Sequence, residues 1–334
     1  MSATATGRRA LPFLVLALVA AGLAALSAAI GDTRLDIVAA TGDVLAGRQT
    51  LAALILVELR LPRALLGLLT GFSLGLAGAA MQGLLRNPLA EPGIMGVSGA
   101  AALGAVVVFY SGLAGAFALA LPLGGMAGAL AASVILHALA GRGAGVLTLV
   151  LAGVAVNSLA GALTALALNL SPNPYAALEI VFWLMGSLAD HSLADVALVL
   201  APMLAGWLLL LASAPALDAL SLGEDVAQSL GFDLARVRVR LIAGTALAVG
   251  SAVAVTGMVG FVGLVAPHLV RPLARREPGR VLWLAGLAGA ILTLAADIGL
   301  RLLPTQPELN LGVVTAIVGA PFLLVLIRRS QERD

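Results

Sequence analysis

The sequence predicts an all-α, polytopic transmembrane helical bundle of about ten spans. Three observations lead there. The chain of 334 residues is 61% hydrophobic and only 11% charged, its mean hydropathy is +1.08, and apolar runs of roughly 16–24 residues recur along its length. Soluble domains are about 45–50% apolar and about 25% charged. The apolar excess here needs a second apolar solvent, and membrane lipid supplies it.

The runs, bounded by charge, Pro or Gly, lie near Leu11 to Ile30, Pro62 to Leu84, Gly93 to Tyr110, Gly115 to Leu139, Val146 to Asn169, Ala194 to Ala212, Leu234 to Thr256, Met258 to Leu273, Arg280 to Leu300 and Leu309 to Ile327. The first imitates a secretory signal peptide, with Arg8 and Arg9 ahead of an apolar stretch and Ser27-Ala28-Ala29 behind it. Its apolar stretch exceeds the usual length of about 7–15 residues, so it is read as a span. The eighth run is short and is expected to cross only in part. Gly67, Gly71 and Gly75, continued by Gly78, line one face of the second run, where a neighbouring backbone can approach closely. Packing, not substrate contact, is the reading for that stripe.

Orientation follows from arginine. A cytoplasmic N-terminus places Arg8, Arg9, Arg86, Arg142, Arg236, Arg238, Arg240, Arg271, Arg275, Arg276, Arg280, Arg328, Arg329 and Arg333 inside, and leaves only Arg34, Arg48, Arg60, Arg63 and Arg301 outside. An even number of spans with both termini cytoplasmic fits that bias. In this topology Arg63 to Gly78 runs inward and Arg240 to Gly257 runs outward, and their shared arrangement of an arginine followed by a Gly-studded helix is a faint inverted repeat.

Composition also excludes functions. Cysteine is absent, which removes thiol chemistry, disulfides and cysteine-ligated metals. Lysine is absent as well, so no phosphate-binding loop ending in Gly-Lys-Ser/Thr exists, and any ATP hydrolysis belongs to another subunit. A pI near 9.9 does not point to nucleic acid, because the arginines are scattered between apolar runs. His137, His191 and His268 form no metal-ligand cluster in sequence and read as interfacial packing. The chain is therefore expected to hold no catalytic residue, metal or cofactor, and not to be an enzyme. An ion-coupled carrier would need buried carboxylates or histidines. Asp297 is the strong candidate, and Arg301 four residues on offers it a helical ion pair.

Two connections have local structure. Within the segment Ser213 to Arg240, Ser221 and Glu224 have the spacing of a capping box, Val226, Ala227 and Leu230 form a short apolar face, and Gly231 is a stop signal. A brief helix is expected there, either a plug docking into a cytoplasmic partner or an ordinary amphipathic loop helix. The stretch Arg86-Asn87-Pro88-Leu89-Ala90-Glu91-Pro92-Gly93 carries two prolines that forbid continuous helix. A similar break is expected at Pro267-His268-Leu269-Val270-Arg271-Pro272.

Arg60-Leu61-Pro62-Arg63, Met81-Gln82, the stretch Arg86 to Gly93 with Gly96 beyond, Leu222 to Gly231, Gly260 to Arg271, and Gly312 to Phe322 together resemble the FecCD-like permeases, which import iron-siderophores, haem and vitamin B12. The motifs occur in the family's order over nearly the whole chain. Asn310 departs from the pattern, in which proline usually precedes the Gly-Val-Val-Thr run, and this leaves the start of the last helix in question.

The resemblance implies one permease domain over residues 1–334 with the type II ABC importer fold, in the bacterial inner membrane, as a homodimer. It implies two cytoplasmic ATPase subunits, which carry ATP and Mg, and a periplasmic substrate-binding protein. It assigns Ser221, Leu222, Gly223, Glu224, Asp225, Val226, Ala227, Gln228, Ser229, Leu230 and Gly231 to ATPase coupling. It also assigns Arg60, Arg63 and Arg301 to pairing with acidic residues on the two lobes of the binding protein. Exposed guanidiniums are suited to that, as forked donors; the alternative is that they snorkel or pair internally. Thr148 and Asn157 lie on the run that lines the path by the same analogy, or serve helix–helix hydrogen bonds. Gly141, Arg142 and Gly143 are a hinge of a cytoplasmic gate or a short turn. An iron chelate is the expected cargo, with cobalamin as the alternative.

Overall fold

The computed structural model describes residues 3–31, 33–117, 119–140, 145–171, 173–274, 277–305 and 308–331. The described residues form fifteen α-helices: α1 Ala3–Ala29, α2 Ile37–Leu45, α3 Leu51–Leu54, α4 Leu61–Leu84, α5 Val97–Tyr110, α6 Ala120–Ala140, α7 Val146–Asn169, α8 Pro174–Leu184, α9 Leu193–Leu211, α10 Ala214–Leu220, α11 Glu224–Ser229, α12 Leu234–Thr256, α13 Val262–Val270, α14 Pro278–Arg301 and α15 Leu311–Gln331. Seven helices are long and apolar enough to cross a bilayer, with α3 and α4 fused into one of them. The other expected runs give the shorter apolar helices α5 and α15 and α13, whose nine residues reach only about 13 Å.

The expected boundaries shift where the backbone chemistry is unusual. The second span begins eleven residues early, at Leu51, and passes through a π-helical stretch, Ile55–Arg60, directly before Pro62. Widening the turn there accommodates a proline that has no N–H and crowds the carbonyl one turn back. The eighth run is cut down to α13 because Gly257 (φ +69°) and Phe261 (φ +64°) both take the left-handed region, ending α12 and restarting the chain. Helix α8 was outside the expected spans because eleven residues are too few to cross. Its start is nonetheless written in Asn173-Pro174: the Asn173 side chain accepts from Tyr175 N–H at 2.9 Å, and Pro174 fills the first turn.

Helix α4 is the centre, with 89% of its apolar window buried, whereas α1 at 11% lies on the periphery. The glycine stripe explains how α4 sits so deep. A Cβ on Gly71 would fall 2.7 Å from the Ala290 Cα, so α4 and α14 meet backbone to backbone there, and at Gly67 the Leu294 side chain fills the gap, 2.9 Å from where a Cβ would lie. The same device joins α12 to α6, where a Cβ on Gly125 would lie 2.8 Å from the Ala254 Cα. Helix α4 ends, and α12 begins, beside Glu224, which pairs with Arg86 and Arg238. The two helices therefore run in opposite directions, as the faint repeat suggested; the break expected from Pro267 comes only after Val270, because Pro267 lies inside α13.

Candidate functional site at the two ends of the bundle

At the end where α4 begins, two arginines, Arg63 and Arg301, meet a buried carboxylate, with Arg60 beside them. Asp297, on the last turns of α14, has a side chain only 1% exposed. Arg63 donates from Nε to its Oδ1 at 2.9 Å and approaches with Nη2 at 2.8 Å. The opposite edge of the same guanidinium takes Glu308, with Nη1 at 3.2 Å from Oε2 and Nη2 on Oε1. Arg301 lies 2.8 Å from Asp297 Oδ2, one helical turn away, as an ion pair. Among the described residues, Asp297 Oδ2 and Arg301 Nε are buried without a hydrogen-bond partner.

The remaining donors of this cluster reach α1. Arg301 Nη1 donates to the Ser27 and Ile30 carbonyls, both at 2.8 Å, and Nη2 to Ser27 Oγ at 2.6 Å. Arg60 donates to the Ala29 carbonyl at 2.6 Å and to that of Thr33. These carbonyls close the C-terminal end of α1, which lacks intrahelical donors and carries the negative end of the helix dipole, so guanidiniums suit it. This corrects the expectation of exposed guanidiniums at Arg60, Arg63 and Arg301. All three are buried or nearly so, at 5%, 15% and 5%, and each is committed to internal acceptors. The helical pair Asp297–Arg301 is present as the sequence suggested, but Arg63 and Glu308 complete it. A cleft of about 350 Å³, lined by Arg60, Arg63, Asp190, Arg301 and Glu308 among others, opens beside the cluster. His191 lies on this side too, 4.0 Å from Asp195; burial pushes its imidazole below the ordinary range, against the pull of that carboxylate.

At the opposite end, α11 stands where the brief helix was expected, but the capping box does not form. Ser221 Oγ instead donates to the Asp218 carbonyl at 2.6 Å, finishing α10, and Gly223 at φ +118° starts α11 with no side-chain cap. Glu224 turns inward to Arg238 at 3.1 Å and Arg86 at 3.8 Å, which ties the helix to α12 and to the end of α4. Gly231 takes φ +91°, its N–H returns to Gln228, and Asp233 then caps α12 through Arg236 N–H at 3.1 Å. Only Ala227 of the apolar face is buried. Leu222, Val226 and Leu230, each four residues apart, are 68%, 41% and 61% exposed. The result is a rigidly mounted helix carrying an apolar knob outward, with Asp225 and Gln228 beside it.

Between the ends runs a seam of motif residues far apart in sequence. Glu91 accepts from the Phe261 N–H at 3.0 Å and so joins the break after α4 to the break after α12. Burial raises its carboxyl above the usual range, and that one hydrogen bond offsets the shift only in part. Gln82 accepts from Arg271 at 2.7 Å. The His268 ring meets Phe322 edge-on at 5.6 Å. A Cβ on Gly263 would fall 2.8 Å from Pro92 Cδ. At Asn310, where the motif departs from its usual proline, the side-chain amide donates to the Phe182 carbonyl at 3.4 Å and α15 starts one residue later.

Helix α7 presents Leu147, Leu151, Leu159 and Leu163 outward. Thr148 and Asn157 are exposed on the same helix, and Asn157 also packs into the space left by Gly99. Gly141, Arg142 and Gly143 lie outside the described residues. Sequence reasoning missed Glu308 and Ser27, and it gave Glu91 no role. Glu308 had a signal, being the only charge between Arg301 and Arg328.

A bundle of glycine-packed spans with paired helix breaks, a charged cluster at one end and an apolar knob at the other has the architecture of a polytopic membrane protein. The family model of the FecCD transport family matches residues 15–329, and the chain belongs to that family. It is 41% identical over 279 residues to the vitamin B12 import system permease of Vibrio cholerae, covering 82% of this chain and 83% of that one. It is 38% identical over 336 residues to the ferric enterobactin permease of Escherichia coli, covering 98% and 97%. A solved structure described as an inward-facing metal-chelate type ABC transporter superposes with a TM-score of 0.83 at 30% identity, over 96% of this chain and 99% of that one. These relatives are transport permeases, and the chain is not an enzyme.

Proposed function

We propose that this chain is the permease subunit of an ATP-driven importer that passes a bulky iron chelate, a ferric siderophore or haem, into the cytoplasm by alternating access. The observation that carries this reading is the exposed Leu222, Val226 and Leu230 knob on a helix tied by Glu224 to two arms of the bundle. Exposed apolar clusters of this kind mark a protein contact, and with no lysine in the chain the nucleotide chemistry belongs to the partner. In the working assembly, two copies of the chain bracket the path in the bacterial inner membrane with both termini cytoplasmic, and two ATPases carrying ATP and Mg grip the two knobs. A periplasmic binding protein docks at the cleft around Arg60, Arg63 and Arg301. Closure of the ATPases pulls on α10 to α12 through the knob. The spans hold few charges, which suits weak contacts along the path and passage of a large cargo. Thr148 and Asn157 on α7, and the connection through Gly141, Arg142 and Gly143, are the path and gate elements of this reading.

End-to-end alignment with the ferric enterobactin permease supports iron. The 41% identity to a vitamin B12 permease supports cobalamin as the second reading. Proteoliposomes holding the permease with its ATPase, supplied with the binding protein, should accumulate ferric siderophore or haem only with ATP, and vanadate should stop it. Accumulation of cobalamin instead would select the second reading, and uptake driven by an ion gradient without the ATPase would refute both.

A further inference from the structure

We propose that Glu308 is an internal stand-in for the carboxylate of the docking protein, occupying the outer edge of Arg63 until a partner's carboxylate displaces it. The inference rests on the docking role given above to this cleft. Its basis is the division of one guanidinium into two edges. The inner edge, Nε and Nη2, is fixed on Asp297, which is 1% exposed and held also by Arg301. Among the described residues the outer edge, Nη1 and Nη2, is held by Glu308 alone, whose side chain is 40% exposed. Planar guanidinium can serve two carboxylates at once, one on each edge. The inner pair is out of water and structural; the outer pair is screened by solvent and cheap to exchange.

The exchange has a site to occur in. Arg63 and Glu308 line the same cleft of about 350 Å³, with Arg60 and Arg301 on its wall. Arg60 and Arg301 are turned onto the carbonyls at the end of α1, so the Arg63 outer edge is the place in the cleft where one carboxylate can replace another without exposing a buried charge. Glu308 also lies three residues before α15. Its release therefore reports docking at the start of a helix that touches α8 through Asn310 and the α12 break through Gly312, whose Cβ position abuts the Met185 and Met258 carbonyls. The partner chemistry is a protein lobe presenting an aspartate or glutamate at its tip.

The test is the affinity of the purified binding protein for the permease–ATPase complex in nanodiscs. Glu308→Gln should tighten association by roughly fivefold, the scale of a partly exposed ion pair. Glu58→Gln, removing an exposed charge on the same end but outside the cleft, should change it less than about twofold by screening. Arg63→Lys keeps a charge for Asp297 but cannot fork to a second carboxylate; it should weaken association and abolish the gain from Glu308→Gln. Should Arg63→Lys weaken docking while Glu308→Gln leaves it unchanged or weaker, or gains no more than Glu58→Gln, the stand-in is refuted and the docking reading survives. If Arg63→Lys leaves association unchanged, the docking reading fails and takes the inference with it.

Discussion

The two ends of the bundle solve opposite problems. At the arginine end, strong ionic chemistry is turned inward: Asp297 is held by Arg63 and Arg301, Arg301 reaches the α1 carbonyls, and Glu308 on the outer edge of Arg63 shows to solvent. At the α11 end, the ionic chemistry is a mounting, and apolar side chains with no partner in the described chain face out. In the proposed assembly the first region spends most of its charge on its own helices and offers a partner one ionic edge, whereas the second offers an apolar surface. Charge in a sequence is thus a poor guide to how much of it a surface leaves for a partner.

Stability measurements sharpen that contrast most. Asp297→Ala leaves two arginines buried against each other, and breaking a buried ion pair from one side costs about 3–5 kcal/mol. Detergent-extracted protein should lose its cooperative melt, while Leu222→Ser with Val226→Ser at the other end should move the melting temperature little. Equal losses at both ends would erase the distinction drawn here.

A smaller effect tests the seam that joins them. Glu91 keeps its proton to higher pH when folded than the ordinary value of 4.5, so above that value the unfolded chain binds fewer protons than the folded one. Stability then falls as pH climbs from about 4.5 to the raised folded value and levels off beyond it. Glu91→Gln still offers an oxygen to the Phe261 N–H but has no charge to desolvate. Its melting temperature should gain on the wild type as pH rises from 5 towards 8; parallel profiles would mean the carboxylate is better solvated than its burial indicates.

The order of helices was legible because most apolar runs are long and Gly, Pro or Arg punctuates their ends. The glycine stripe on α4 announced its packing, since bare backbone at four-residue spacing has few other uses. The π turn before Pro62 and the left-handed Phe261 were not legible, because they answer to tertiary crowding and not to local propensity. At the coupling segment, Ser221 and Glu224 had the right spacing but the wrong partners: Asp218 and Arg238 outcompete the reciprocal cap. The arginine cluster was half legible. Asp297 and Arg301 sit one turn apart on one helix, whereas Arg63 and Glu308 are 245 positions apart and meet only through the fold.

The knob is where the functional account stands or falls, and the natural absence of cysteine makes it directly accessible. Val226→Cys, labelled with a short crosslinker that is thiol-reactive at one end and photoreactive at the other in membranes that contain the ATPase, should join the two subunits on illumination, and excess ATPase should shield the thiol from a membrane-impermeant maleimide in inside-out vesicles. A thiol that reacts only from the periplasmic side, or that reacts equally with and without the ATPase, would contradict the account.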